Sequence, residues 1–153
     1  MKKLLFVITI LCFIGCKDDN KDDLPTTVDI RVDVKYYSHE LGQYVSDVGS
    51  VVYLLNGFSI YNGGDWEYTG NGVFRSKRWG SQWEYTHKAI VSDAGALFKD
   101  LEPVEGYKYF TIAVESASDI EKENRSYGTD AFNILKPYTH LSYNYGSSFS
   151  FVE

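Results

Sequence analysis

Hydrophobic and polar positions alternate along much of this chain with the period of a strand. Val28, Ile30, Val32, Val34 and Tyr36 take turns with Asp29, Arg31, Asp33 and Lys35. Successive side chains of a strand point to opposite faces, so this run predicts a half-buried antiparallel strand, apolar on one face and charged on the other. Val51, Val52, Tyr53, Leu54 and Leu55 have no polar break and predict a more deeply buried strand. Asn56-Gly57 ends it, because that pair readily adopts positive φ. Residues 83–91 predict another strand, Ser92-Asp93-Ala94-Gly95 a turn, residues 96–101 a strand, and residues 102–106 a second turn. In residues 107–115, Tyr109, Thr111, Ala113 and Glu115 share one face, and Phe110, Ile112 and Val114 the other. Residues 116–129 are polar and read as loop, with room for one helical turn at 119–124. Short strands at 132–135, 141–145 and 147–152 close the chain, with Gly146 at the last bend. No long stretch repeats with the helical period, so the expected fold class is all-β, a single antiparallel β-sandwich over residues 28–153.

Residues 1–15 stand outside this pattern. Met1-Lys2-Lys3 is basic, residues 4–14 are apolar apart from Thr9, and Gly15 precedes Cys16. A basic start, an apolar run too short to span a bilayer and a small residue before the cut describe a secretory signal peptide. The charged residues 17–23 follow at once, which leaves a buried helix nothing to pack against. Phe13-Ile14-Gly15-Cys16 resembles the lipobox of bacterial lipoproteins, with Phe13 where leucine is usual. The resemblance implies that Cys16 is acylated, becomes the first residue of the mature protein and ties it to a membrane. Several acyl chains make a firm anchor, since each buried methylene contributes about 0.8 kcal/mol.

Cys12 leaves with the signal, so the mature chain has no cysteine for a disulfide and must hold together by burying apolar area. Residues 16–27 read as a flexible acidic tether, too polar to fold alone. Asp18-x-Asn20-x-Asp22 imitates the opening of a calcium loop, but Asp23 and Asp29 stand where that loop needs glycine and glutamate, so no metal is expected. Lys17-Asp18-Asp19 directly after the cysteine is similar to the export signal of Bacteroidetes-type surface lipoproteins. That resemblance implies an outer-membrane protein whose domain faces the medium.

Residues 89–114 resemble the second half of transthyretin-like or CnaB-like domains, also found as the carboxypeptidase regulatory domain. The residues that carry the likeness are Asp93, Gly95, Phe98, Leu101, Pro103, Gly106 and Tyr107, with residues 28–55 supplying two earlier strands around Asp47. The segment between the two halves is longer here than in that family. The resemblance implies an immunoglobulin-like or transthyretin-like sandwich that serves as a non-enzymatic module; fold alone does not assign a task.

Chemistry is sparse. His39, His87 and His140 stand singly, and there is no H-x-x-x-H pair, G-x-S-x-G elbow, phosphate loop or dinucleotide fingerprint. No catalytic residue, metal or cofactor is therefore expected. Asp65, Glu67 and Glu84 either pair in space, as glycosidase acids do, or are solvated side chains. A net charge of −6 argues against nucleic acid, which needs clustered cations.

Aromatic content is the unusual feature, with 13 Tyr, 9 Phe and 3 Trp. Trp66, Trp79 and Trp83 fall in one segment with Tyr61 and Tyr68. Rings with a polar edge suit stacking on sugar faces or filling a protein interface, whereas large aromatics in general belong to packing. Arg75, Lys77 and Arg78 beside Trp79 either contact acidic partners or keep an edge strand soluble. The leading expectation is a lipid-anchored cell-surface binding or accessory protein for a glycan or protein ligand. The alternatives are a fimbria-like or adhesin-like subunit that exchanges an edge strand near residues 138–151, and a small secreted hydrolase. Cys16→Ala is expected to abolish incorporation of a labelled fatty acid and to move the protein from the detergent phase to the aqueous phase. Both are read by metabolic labelling and phase partitioning.

Overall fold

The long alternating run folds as β1 (Val28–Ser38), whose even-numbered residues from Val28 to Val34 are buried. The computed structural model describes residues 25–57, 66–105, 109–118, 128–133 and 136–153, with Trp66 and residues 128–133 described by backbone alone. The chain continues through β2 (Gln43–Ser46), β3 (Val51–Asn56), β4 (Trp66–Gly70), β5 (Val73–Ser76), β6 (Gln82–Glu84) and β7 (His87–Ile90). It ends with β8 (Ala96–Leu101), β9 (Tyr109–Glu115), β10 (Gly128–Asn133), β11 (Tyr138–Asn144) and β12 (Phe149–Phe151). No helix occurs among the described residues. The fold is all-β and sandwich-like.

Three sheets form. A front sheet runs β12-β11-β1-β2, with β8 also on β1; a middle sheet runs β10-β9-β3-β7; an outer sheet runs β4-β5-β6. β1 was expected to be antiparallel, and it is so toward β8 and β2, but its whole ladder with β11 is parallel, from Asp29↔Tyr138 to Lys35↔Asn144. β11 reaches β1 by crossing over from the middle sheet, and a crossover connection permits parallel pairing where a hairpin does not.

The main core fills the space between front and middle sheets. Val28, Ile30, Val32 and Val34 meet Val52 and Leu54 of β3 and Phe110, Ile112 and Val114 of β9. Each fully buried aliphatic or aromatic side chain stabilises by about 1.5–3 kcal/mol, so this layer carries much of the fold. At its end Asp47 is buried and accepts from Ser50 Oγ at 2.7 Å, Ser116 Oγ at 2.5 Å and the Ala117 amide at 3.3 Å. That carboxylate joins the β2–β3 loop to the residues that follow β9.

β3 and β9 also bury their other face. Tyr53 and Leu55 of β3 and Ala113 of β9 form a second cluster with Phe74 of β5, against which Tyr68, Trp83 and Tyr85 pack. This explains the unbroken apolar run of β3: a strand covered on both sides has no polar face to show. Burying both faces makes the middle sheet the central layer of three.

The outer sheet turns at Asn71-Gly72, with φ of 54° and 76°. Both values are positive, as a tight two-residue hairpin requires. A Cβ on Gly72 would collide with the rings of Tyr85 and Tyr53, so the turn lies directly on the middle sheet. Glu115 fastens it, accepting from Tyr68 Oη at 2.7 Å, from the Asn71 amide at 2.6 Å and from Tyr53 Oη at 3.3 Å.

The single strand expected over residues 83–91 is divided. The Tyr85 amide bonds to Gly72 of the outer sheet, and the Thr86 amide to Leu54 of the middle sheet, so the chain changes sheet between these two residues. β10 begins at Gly128, inside the stretch expected to be loop, because its ladder with β9 is made by backbone and needs no apolar signature. The helical turn expected at 119–124 lies outside the described residues.

Among the described residues three tyrosines resist ionisation. Burial, followed by the hydrogen bond to Glu115, holds the Tyr68 phenol well above its ordinary value. Burial and the nearby Glu115 charge raise Tyr53, and burial raises Tyr145. An unfolded tyrosine loses its proton near pH 10 while these retain theirs, so the unfolded state binds fewer protons and stability declines as pH rises above about 10. Thermal melts between pH 8 and 12 are expected to show that decline. Tyr68→Phe is expected to melt lower at pH 8 but to lose less between pH 10 and 12.

Candidate functional site

Period two in the outer sheet sorts its side chains into two rows. Tyr68↔Phe74 and Phe74↔Trp83 are cross-strand partners, and this row packs on the middle sheet. One residue along, Glu67↔Arg75 and Arg75↔Gln82 make the adjacent row, which points the other way. The same three strands therefore carry an aromatic inner face and a polar outer face.

The outer row opens a hollow of about 410 Å³, lined by Glu67, Arg75, Ser76, Lys77, Gly80 and Gln82. That volume lies toward the small end of the usual range for ligand sites, about 300–1,000 Å³. Arg75 donates to Glu67 Oε1 from Nε at 2.7 Å and also from Nη2. Both side chains are substantially exposed, so the pair adds at most about 1 kcal/mol to stability. Its larger effect is to fix the directions of a carboxylate and a guanidinium at the edge of the hollow.

The turn between β5 and β6 is organised by Ser76, which is buried. Its amide donates to the Ser81 carbonyl, its carbonyl accepts from the Gly80 amide, and its Oγ accepts from the Trp79 amide at 3.1 Å. Gly80 takes a φ of 69°, the left-handed conformation that closes such a loop. Held this way, the turn presents Lys77, Arg78 and Trp79 to solvent. Trp79 is 67% exposed, and the Arg78 guanidinium lies 5.2 Å from the centre of its ring.

The residues singled out in the sequence thus separate. Trp83 and Tyr68 lie against the middle sheet, and Trp79 stands out at the turn beside the hollow. Trp66 is paired with Ser76 through the backbone of β4. Tyr61 and Cys16 lie outside the described residues, as do Asp65, Gly106 and Tyr107. Glu84 is exposed on β6, opposite Val73 and two residues beyond Gln82.

Gln82 and Ser76 join this site through the pairing of β4, β5 and β6, of which β4 and β5 lie beyond the strands expected from the sequence. The signal was available: Asn71-Gly72 sits between two alternating runs, Trp66-Glu67-Tyr68 and Val73-Phe74-Arg75.

The three histidines lie apart. His39 packs edge-on against Tyr37, and the His87 ring is 3.0 Å from Thr86 Oγ1. His140 Nε2 is 3.0 Å from Asp33 Oδ2, on the outer face of the front sheet, where Arg31 occupies the other carboxylate oxygen. Among the described residues no three His, Cys, Asp or Glu side chains are grouped to hold a metal ion. No described helix is long and apolar enough to cross a membrane.

Compared with protein-family models, curated proteins and solved structures, the chain finds no match. Phe74→Ala is expected to destabilise the fold by about 3–5 kcal/mol, as deletion of a fully buried ring does. Trp79→Ala is expected to stay within about 0.5 kcal/mol of the parent, as exposed positions do. Urea unfolding of the two variants checks both values.

Proposed function

We propose that the protein is a non-catalytic, lipid-anchored binding lipoprotein of the outer membrane that faces the medium and takes its ligand, a glycan or a protein, on the outer sheet at the Trp79 turn. The anchor in this reading is Cys16, carried by residues 16–27 as a tether, and the sandwich is of the transthyretin-like or CnaB-like kind. Phe98 and Leu101 support that last point, since both are buried in β8 directly after the Asp93-Ala94-Gly95 turn. The observation that carries the function is an exposed Trp79 on the same turn whose Lys77 and Gly80 line a polar hollow, where Glu67, Arg75 and Gln82 offer donors and acceptors. A flat ring with a polar edge, held in solvent by the Ser76 hydrogen bonds, suits stacking on a ligand.

A second reading, assembly by strand exchange, is favoured by β12, an edge strand of the front sheet on which Phe151 is 60% exposed. The test is binding of the full chain, purified in detergent, to an array of immobilised glycans. Saturable binding weakened roughly tenfold or more by Trp79→Ala, with unfolding unchanged, supports a glycan-binding turn. Absence of glycan binding together with concentration-dependent oligomers that Phe151→Asp disperses would favour assembly instead.

A further inference from the structure

We infer that the ligand of the Trp79 turn is an acidic saccharide, a glycan bearing carboxylate or sulfate groups; this rests on the reading of that turn as the contact surface. Arg75, Lys77 and Arg78 are three of the chain's 15 cationic side chains, and they fall within four consecutive positions of a chain with net charge −6. All three are exposed. Arg75 is neutralised by Glu67, while Lys77 and Arg78 have no carboxylate partner among the described residues. The β5–β6 turn, whose Lys77 lines the hollow, is therefore locally positive on an otherwise acidic molecule, and such a patch draws anions toward it.

The lining narrows the class further. Glu67 accepts hydrogen bonds and repels a bare anion, so a ligand seated beside it must bring donor groups as well as negative charge. Gln82 both donates and accepts, as sugar hydroxyls do. Trp79 supplies a flat apolar plate, and its contact with Arg78 is worth only about 0.5–1 kcal/mol at an exposed site, little enough for a sugar ring to displace. Hydroxyls for Glu67 and Gln82, a ring face for Trp79 and an acidic group for Lys77 and Arg78 together describe a uronate-bearing or sulfated sugar. Nucleic acid is disfavoured by the chain's net charge of −6, which leaves too few clustered cations for a run of phosphates, and a neutral glycan leaves both cations unmatched.

The experiment is affinity electrophoresis of the full chain in detergent through gels containing polygalacturonate, dextran sulfate, neutral dextran or poly-glutamate, at low and at physiological salt. An acidic saccharide is expected to retard the protein roughly tenfold more strongly than dextran, with less retardation as salt screens the exposed charges. Lys77→Gln and Arg78→Gln are each expected to weaken that retardation by roughly threefold, and by roughly tenfold together, with unfolding unchanged. Polygalacturonate against dextran sulfate tells a carboxylate from a sulfate.

Dextran bound as tightly as the acidic polymers would overturn the inference; if Trp79→Ala still weakened that binding, the contact surface itself would stand. Poly-glutamate bound as tightly as the acidic saccharides would overturn the assignment to sugars. Retardation that neither the charge variants nor Trp79→Ala alters would overturn both the inference and the reading beneath it, and so would no retardation by any polymer.

Discussion

The seating of Tyr68, Phe74 and Trp83 on the outer face of the middle sheet is the contact on which the outer sheet and the candidate site depend. Tyr53 and Leu55 of β3 and Ala113 of β9 would otherwise offer a broad apolar surface to water, of the kind that drives association. Covering it takes a piece of chain that is itself apolar on one side only, and the β4–β5–β6 hairpins are such a piece. Their closeness is visible at Gly72, where the rings of Tyr53 and Tyr85 leave no room for a side chain. Glu115 adds direction to that contact, since one carboxylate holds two tyrosine hydroxyls and a turn amide from both sides of the interface.

The candidate site follows from this packing. In a strand, the residue next to a buried one must point away, so seating Tyr68, Phe74 and Trp83 inward sends Glu67, Arg75 and Gln82 outward. A slip of one residue in either hairpin would exchange the two rows and bury an ion pair against Leu55, which pins the register strongly. Ser76 belongs to both parts, buried at the end of β5 while its amide, carbonyl and hydroxyl shape the turn that carries Lys77, Arg78 and Trp79. A rigid polar face with a projecting ring is thus a by-product of closing the third layer.

Much of this was legible residue by residue. The alternation in β1, the unbroken run of β3, the two faces of β9 and the Ser92–Gly95 turn are all local patterns, and each is present where it was expected. What escaped had no local pattern to give it away. β10 is held by backbone ladders, and the sheet change between Tyr85 and Thr86 depends on partners at Gly72 and Leu54. The parallel direction of β11 depends on a crossover and not on the composition of the strand.

The same division separates the tryptophans. Sequence by itself determined an all-β chain, with its strands marked by period two, its turns by glycine and asparagine, and its three tryptophans gathered in one segment. Only the tertiary structure decided that Trp83 joins a core while Trp79, four residues earlier, stands in solvent beside a polar hollow. The physical reason is that burial belongs to a pair of surfaces. Alternation tells which side chains share a face, but the surface that covers that face comes here from β3 and β9, strands that no local pattern in the hairpins could name.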